Sequence, residues 1–296
     1  MQQKHRFQGI ITALVTPFNS DGEVDEIGLR TLVRRQIEDG AMGLAVVAGS
    51  GEFVNLLASE RELVVRVSVA ESAGQIPTIA GVLMPNTHDA VSWSKNACKL
   101  GVDALLVLTP YYNKPSKEGI QSHFMAISDA ADRPILLYNN PGRTGISLTI
   151  EEYLALSEKA NIIGVKECNR DLSFLSSLIS EVGSRLAILS GEDDLLFPSL
   201  SLGAAGGILT TSNIILQMWT TMYHAVSNND FRKAKEIHYR VLPLIREVYT
   251  LNHPALVKAA LSILGLPGGR TRLPLADPRP EQLERVKEVL STLGML

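Results

Sequence analysis

Residues 134–167, PILLYNNPGRTGISLTIEEYLALSEKANIIGVKE, contain the unit from which the fold is read. Two short aliphatic runs, PILLYN (134–139) and IIGVKE (162–167), flank a helical pattern at 149–160. Such runs are too short for helices, and their nearly unbroken apolar character suits strands buried on both faces. Between them, Thr149 stands three residues before Glu152, the spacing of a capping box. The unit is therefore strand, helix, strand. Its two runs also end on ionisable groups, Tyr138 and Lys166, and lysine is seldom fully buried without a reason.

The same unit recurs on either side. Apolar runs closed by turn residues lie at 9–17 (GIITALVTP), 43–49 (GLAVVAG), 77–81 (PTIAG), 103–110 (DALLVLTP), 186–191 (LAILSG) and 206–211 (GGILTT), which makes eight with the two above. Helical patterns fill the gaps. DEIGLRTLVRRQIEDG (25–40) opens on acidic residues and closes on Gly40; THDAVSWSKNACKLG (87–101) has Thr87 as its expected N-cap and ends at Gly101. Eight alternations predict parallel strands joined by right-handed crossovers, and the count fits a closed (β/α)8 barrel, the TIM barrel. An open doubly wound sheet is the alternative, but no GxGxxG follows the first run. After residue 214 the pattern turns helical, with interruptions expected at SNND (227–230) and Pro243. The expected organisation is a barrel over 1–214, then the last barrel helix and a helical C-terminal extension over 215–296 that packs beside the barrel.

Composition limits the function classes. The chain has 296 residues, 45% of them hydrophobic and 20% charged, as in an ordinary globular enzyme. A formal charge of -3, without a concentrated basic block, argues against nucleic acid as a partner. No stretch is long and apolar enough to predict a membrane span, and MQQKHRFQGI has no signal-like core. Cys98 and Cys168 form neither a disulfide framework nor a metal-spaced cluster, so the cytoplasm is the expected compartment.

In a TIM barrel the chemistry sits at the C-terminal ends of the strands, where Lys166 and Tyr138 both fall. Alternation places Ile162, Gly164 and Lys166 on one face, with Gly164 leaving room for the lysine, while neighbouring parallel strands run about 4.8 Å apart. A desolvated lysine beside a phenol is a nucleophile beside a proton donor. Burial favours the neutral amine, which can attack a ketone to form a Schiff base, and a phenol can move the protons this needs. On periodicity alone, a lysine that snorkels to solvent or pairs with Glu167 is equally compatible. VAGSGEF (47–53) offers backbone N–H groups that could cradle a carboxylate, or forms a plain glycine-rich turn. NNPGRTG (139–145) supplies Arg143, a forked donor for a carboxylate or an ordinary surface arginine. Glu52 is expected to bond backbone N–H groups of its own turn.

Together these motifs resemble the dihydrodipicolinate synthase / N-acetylneuraminate lyase family of class I aldolases, from GIITALVTPF to GLPGGRTRLPL. The resemblance implies that Lys166 in GVKE is the Schiff-base lysine and Tyr138 in YNNPGRTG the proton shuttle. It implies that Arg143 receives a second carboxylate, and that Tyr112 in TPYYNKP acts across a tight dimer. Ser50, Gly51 and Gly49 would hold the keto-acid carboxylate, with Gly191 and Ile208 lining a pyruvate pocket. It further implies a homotetramer of two tight dimers and neither metal nor organic cofactor. The six histidines are scattered, which argues against a metal-dependent aldolase.

Two departures qualify the resemblance. The family's second-strand motif carries two hydroxyl residues before Gly-Glu; here AGSGE has Gly49 in place of the first, so the hydroxyl that would link the two tyrosines is missing. Phe53, Val54, Ala58 and Pro85 stand where lysine-inhibited synthases carry polar residues, so no lysine feedback is expected. The leading expectation is a lyase that condenses pyruvate with an aldehyde in the manner of dihydrodipicolinate synthase. The alternative is an aldolase, dehydratase or deaminase of a larger 2-oxo acid, such as a 2-keto-3-deoxy sugar acid or a hydroxy-pyrroline carboxylate. A non-catalytic metabolite-binding barrel is a third reading, which retention of both Lys166 and Tyr138 disfavours.

Overall fold

The computed structural model describes residues 7–296. Its eight strands are β1 (Gly9–Ala13), β2 (Gly43–Val46), β3 (Thr78–Val82), β4 (Ala104–Leu108), β5 (Ile135–Asn139), β6 (Ile162–Glu167), β7 (Ala187–Ser190) and β8 (Gly206–Leu209). They pair in sequence order, all in parallel, and β8 closes onto β1. Every strand residue is buried, which is why the runs read as unbroken apolar stretches instead of alternating ones. The TIM barrel read from the sequence is the observed fold.

The helices are α1 (Glu26–Glu38), α2 (Ala58–Ser72), α3 (Thr87–Lys99), α4 (Lys117–Ala130), α5 (Pro141–Thr144), α6 (Ile150–Leu156), α7 (Leu172–Val182), α8 (Leu196–Ser201), α9 (Ser212–Ser227), α10 (Phe231–Val248), α11 (Ala255–Ile263) and α12 (Pro280–Thr292). Thr149 caps α6 through the expected box: its hydroxyl accepts from Glu152 N at 3.3 Å, and Glu152 accepts from Thr149 N at 2.7 Å. The cap of α3 is Asn86, one residue before the expected Thr87, whose hydroxyl instead meets His123 Nδ1 at 3.0 Å. Pro243 does not interrupt α10. The helix runs through it, held by the buried face of Val241, Leu244, Ile245 and Val248, and that packing outweighs one lost backbone bond.

Two details position the site. The first two apolar runs outlast their strands: β1 stops at Ala13 and β2 at Val46. Beyond β2 the chain turns sharply, with Val47 at φ 45° and Glu52 at φ 55°, a left-handed conformation unfavourable for a β-branched residue. Asn213, at the start of α9, then ties the barrel seam: it donates to Ala13 O at 2.8 Å and accepts from Val15 N at 3.1 Å.

Candidate active site

The β5–β6 register sets Tyr138 directly opposite Lys166, at the C-terminal ends of both strands. Lys166 is 5% exposed, and its Nζ lies over the Tyr138 ring, 4.7 Å from the centroid. No described residue forms a hydrogen bond or ion pair with that amine. Pairing with Glu167 is ruled out, because Glu167 points to the other face. There it accepts from Tyr153 Oη at 2.6 Å, Asn139 Nδ2 at 2.8 Å and Asn169 N at 2.7 Å. Strand alternation alone therefore separates Lys166 from its sequence neighbour.

Room for the lysine comes from a different glycine than expected. A side chain at Gly164 would meet Leu136 Cδ2 at 2.7 Å, so the space there belongs to the barrel core. At Gly191, just past β7, an added Cβ would collide with Cys168 Sγ and lie 3.0 Å from Lys166 Cε. Gly191 is the residue that lets Lys166 extend.

The amine, the phenol and Gly191 border a cavity of about 60 Å³, together with Gly49, Ser50, Asn140, Arg143, Cys168, Glu192, Thr210, Tyr249 and His253. A larger opening of about 270 Å³ adjoins it, sharing Gly49, Arg143 and His253, with Phe53, Leu83, Leu108 and Tyr111 as apolar walls. Arg143, on the short α5, is exposed and forms no ion pair with a described residue, so its guanidinium is free for an anion at the mouth. The N–H groups of Ser50 and Gly51 have no acceptor among the described residues, as a carboxylate cradle requires.

Two expected site residues are placed elsewhere. Ile208 is fully buried in β8 beside Ile11, one layer below Thr210, which takes the place at the cavity wall. Tyr112 is 90% exposed at φ 74° and lies outside its own cavity.

The C-terminal extension contributes more than the sequence suggested. His253 Nε2 meets Ser50 Oγ at 3.1 Å, and Ser50 Oγ meets Thr210 Oγ1 at 2.8 Å. The His253 ring stacks on Tyr249 at 5.4 Å, and Tyr249 Oη donates to Asp193 at 3.0 Å. Asp193 also accepts from Thr211 N at 2.7 Å. These bonds tie the ends of β2, β7 and β8 to the loop after α10. Burial, with Arg143 and Lys166 nearby, pushes the His253 imidazole down to about 3, so it is neutral at physiological pH.

Glu52 is structural, but not through backbone N–H groups of its own turn, from which only the Asn55 side chain reaches it, Nδ2 donating at 3.2 Å. Its carboxylate is buried against Lys258 Nζ at 2.9 Å and accepts from Arg272 N at 3.0 Å. The expected partners are unsuitable because its own backbone N–H, like that of Phe53, turns inward to the carbonyls of Gly49 and Ala48.

The titration of Lys166 also differs from expectation. Burial, the largest influence, favours the neutral amine, but Tyr138, Cys168, Asp193 and Glu192 together outweigh it and leave Lys166 above its ordinary value. A phenol and a thiol exert that pull only as anions, in alkaline solution. Near neutrality part of the counterweight is therefore absent, and desolvation acts on the resting amine with less opposition. The site can thus release a proton from Lys166 to a base, attack a carbonyl, and hold a carboxylate at Ser50–Gly51 and a second anion at Arg143.

Comparison with known proteins agrees with this geometry. The Dihydrodipicolinate synthetase family matches residues 6–293. The 4-hydroxy-tetrahydrodipicolinate synthase of Syntrophotalea carbinolica is 36% identical over 98% of this chain and 99% of its own. The dihydrodipicolinate synthase of Thermotoga maritima superposes with a TM-score of 0.96 at 34% identity, covering 99% of this chain and 100% of its own. The chloride-inhibited enzyme of Acinetobacter baumannii, solved in complex with pyruvate, gives 0.95 at 34% identity over 98% and 99%. The chain belongs to the dihydrodipicolinate synthetase family, whose enzymes are lyases that work through a lysine Schiff base.

Proposed function

We propose that the protein condenses pyruvate with an aldehyde, aspartate semialdehyde being the first candidate, through a Schiff base on Lys166. The observation that carries this reading is the buried, unpaired amine of Lys166 over the Tyr138 ring at 4.7 Å. Lys166 attacks the ketone carbon, and Tyr138 delivers and removes the protons that dehydrate the carbinolamine to an iminium. The Ser50–Gly51 turn orients the 2-oxo acid by its carboxylate, and Gly191 keeps the lysine's path open. Arg143 receives the charged end of the second substrate. Full exposure of Tyr112 supports a role at a partner's active site, and hence the tight dimer and the homotetramer expected from the family. Among the described residues no helix is long and apolar enough to cross a membrane.

A second reading rests on Gly49. With no hydroxyl there, nothing links Tyr138 to a second tyrosine, and the same iminium would serve to cleave, dehydrate or deaminate a larger 2-oxo acid. Borohydride reduction in the presence of pyruvate, with intact mass and peptide mapping, tests the shared step. The expected result is a pyruvyl-sized adduct on Lys166. Failure of every 2-oxo acid to give an adduct would overturn both readings. An adduct with pyruvate but no turnover with aspartate semialdehyde would leave the second.

A further inference from the structure

Tyr138 must both give and take protons, yet the hydroxyl expected beside it is absent. Gly49 is not there for the backbone's sake. It does not occupy the left-handed region, and an added Cβ would meet nothing nearer than Tyr138 Oη at 3.9 Å. Serine would fit. Something else must therefore hold the phenol.

Among the described residues, the hydrogen-bond partner of Tyr138 Oη is Asn140, whose Nδ2 donates to it at 3.1 Å. The second observation is what Asn140 does not do. It occupies the N-cap position of α5, where an asparagine side chain ordinarily accepts a bond from the first turn. Here the side chain makes no capping bond, and the backbone carbonyl alone takes Arg143 N at 3.0 Å and Thr144 N at 2.9 Å. The carboxamide is turned to the cavity and to the phenol.

We propose that Asn140 is the positioning residue for Tyr138, taking over within one subunit the orienting role of the hydroxyl missing at Gly49. This inference rests on the Schiff-base reading above. A phenol has one proton to donate and accepts on the same oxygen. With Asn140 Nδ2 on the acceptor side, the O–H is left to face the cavity. A donor on that oxygen also stabilises the negative charge left there when the phenol gives up its proton. An amide N–H does not exchange places with a phenolic proton as a hydroxyl would, so Asn140 orients and does not relay. In the step it serves, Tyr138 has already given its proton to the carbinolamine hydroxyl that leaves as water; the iminium's C3–H bond then breaks and that proton passes to the Tyr138 phenolate oxygen. The C–H pair becomes the C2=C3 bond, and the C2=N pair returns to nitrogen as an enamine. The ionisable groups that share the cavity with Tyr138 are Lys166, Cys168, Arg143, Glu192, Tyr249 and His253.

Exchange of the pyruvate methyl protons with D2O, followed by NMR, reads this step without any second substrate. Asn140→Val should slow exchange by about tenfold, the rate equivalent of one hydrogen bond, and move the basic limb of its pH profile upward. Adding Gly49→Ser should recover most of the lost rate. Asn140→Asp, similar in shape but offering a carboxylate to the phenol, should move the limb further up, and it carries the test if the valine variant does not fold. An unchanged rate and limb in a wild type that exchanges would overturn the role of Asn140 alone. So would a slower rate with an unmoved limb and no rescue by Gly49→Ser. A wild type that neither traps nor exchanges any 2-oxo acid would overturn the Schiff-base reading, and this role with it.

Discussion

The protein buries two lysines and treats them in opposite ways. Lys258, on α11, is fully buried against Glu52, with its ammonium 4.2 Å over the Phe18 ring. Lys166 is almost as deeply buried but has no carboxylate, only the face of Tyr138 and an open cavity. Charge pairing turns one lysine into a strut between the β2 turn and the C-terminal extension. Its absence leaves the amine of the other unpaired. Burial by itself therefore says little about a lysine's role; what closes over its amine decides.

Substitution separates the two most sharply. Lys166→Ala should reduce turnover and abolish borohydride trapping, a loss on the order of 10⁴-fold or more in rate. It should melt close to the wild-type temperature, because the amine has no hydrogen-bond or ion-pair partner among the described residues for the substitution to strand. A marked fall in melting temperature would mean that Lys166 is structural. Lys258→Met is expected to do the reverse. Left without its cation, the buried Glu52 carboxylate should cost about 3–5 kcal/mol of unfolding free energy in denaturant titration. The folded fraction should still trap a 2-oxo acid on Lys166.

A smaller effect appears in alkaline solution. Burial, resisted by Glu52, lowers Lys258 to about 8 in the folded state. Between that value and the ordinary lysine range near 10.4, the unfolded chain binds more protons, so Lys258 makes stability rise with pH. Lys166, shifted the other way, contributes stability that is present below the ordinary range and lost as pH climbs through its folded value. The stability difference between wild type and Lys258→Met should therefore grow between pH 8 and 10, by up to about 3 kcal/mol. The difference for Lys166→Met should stay flat over that interval and fall above it. Parallel slopes for both variants would erase the distinction drawn between the two lysines.

The barrel was legible because each strand carries its own signature: DALLVLTP and PILLYN read as buried strands without reference to anything distant. The Lys166–Tyr138 pair was legible for the same reason, since consecutive strands with a short crossover must lie side by side. His253 was not. It reaches Ser50 across 203 residues, and a histidine in a loop before a proline has no periodicity to betray it. Asn140 sat in a quoted motif, but as a cap its side chain has two uses, and the sequence does not choose between them.

Local chemistry thus determined the eight strands, the capped α6, the buried amine and its phenol. Only the tertiary structure decided that Glu52 is held by Lys258 across 206 residues, that Ile208 lies beneath the cavity wall, and that Tyr112 faces away from its own site. The physical reason is range. Propensity, alternation and capping act within a few residues and leave a mark in the sequence at that spacing. Long-range pairing depends on where whole elements come to rest, and no local pattern records it.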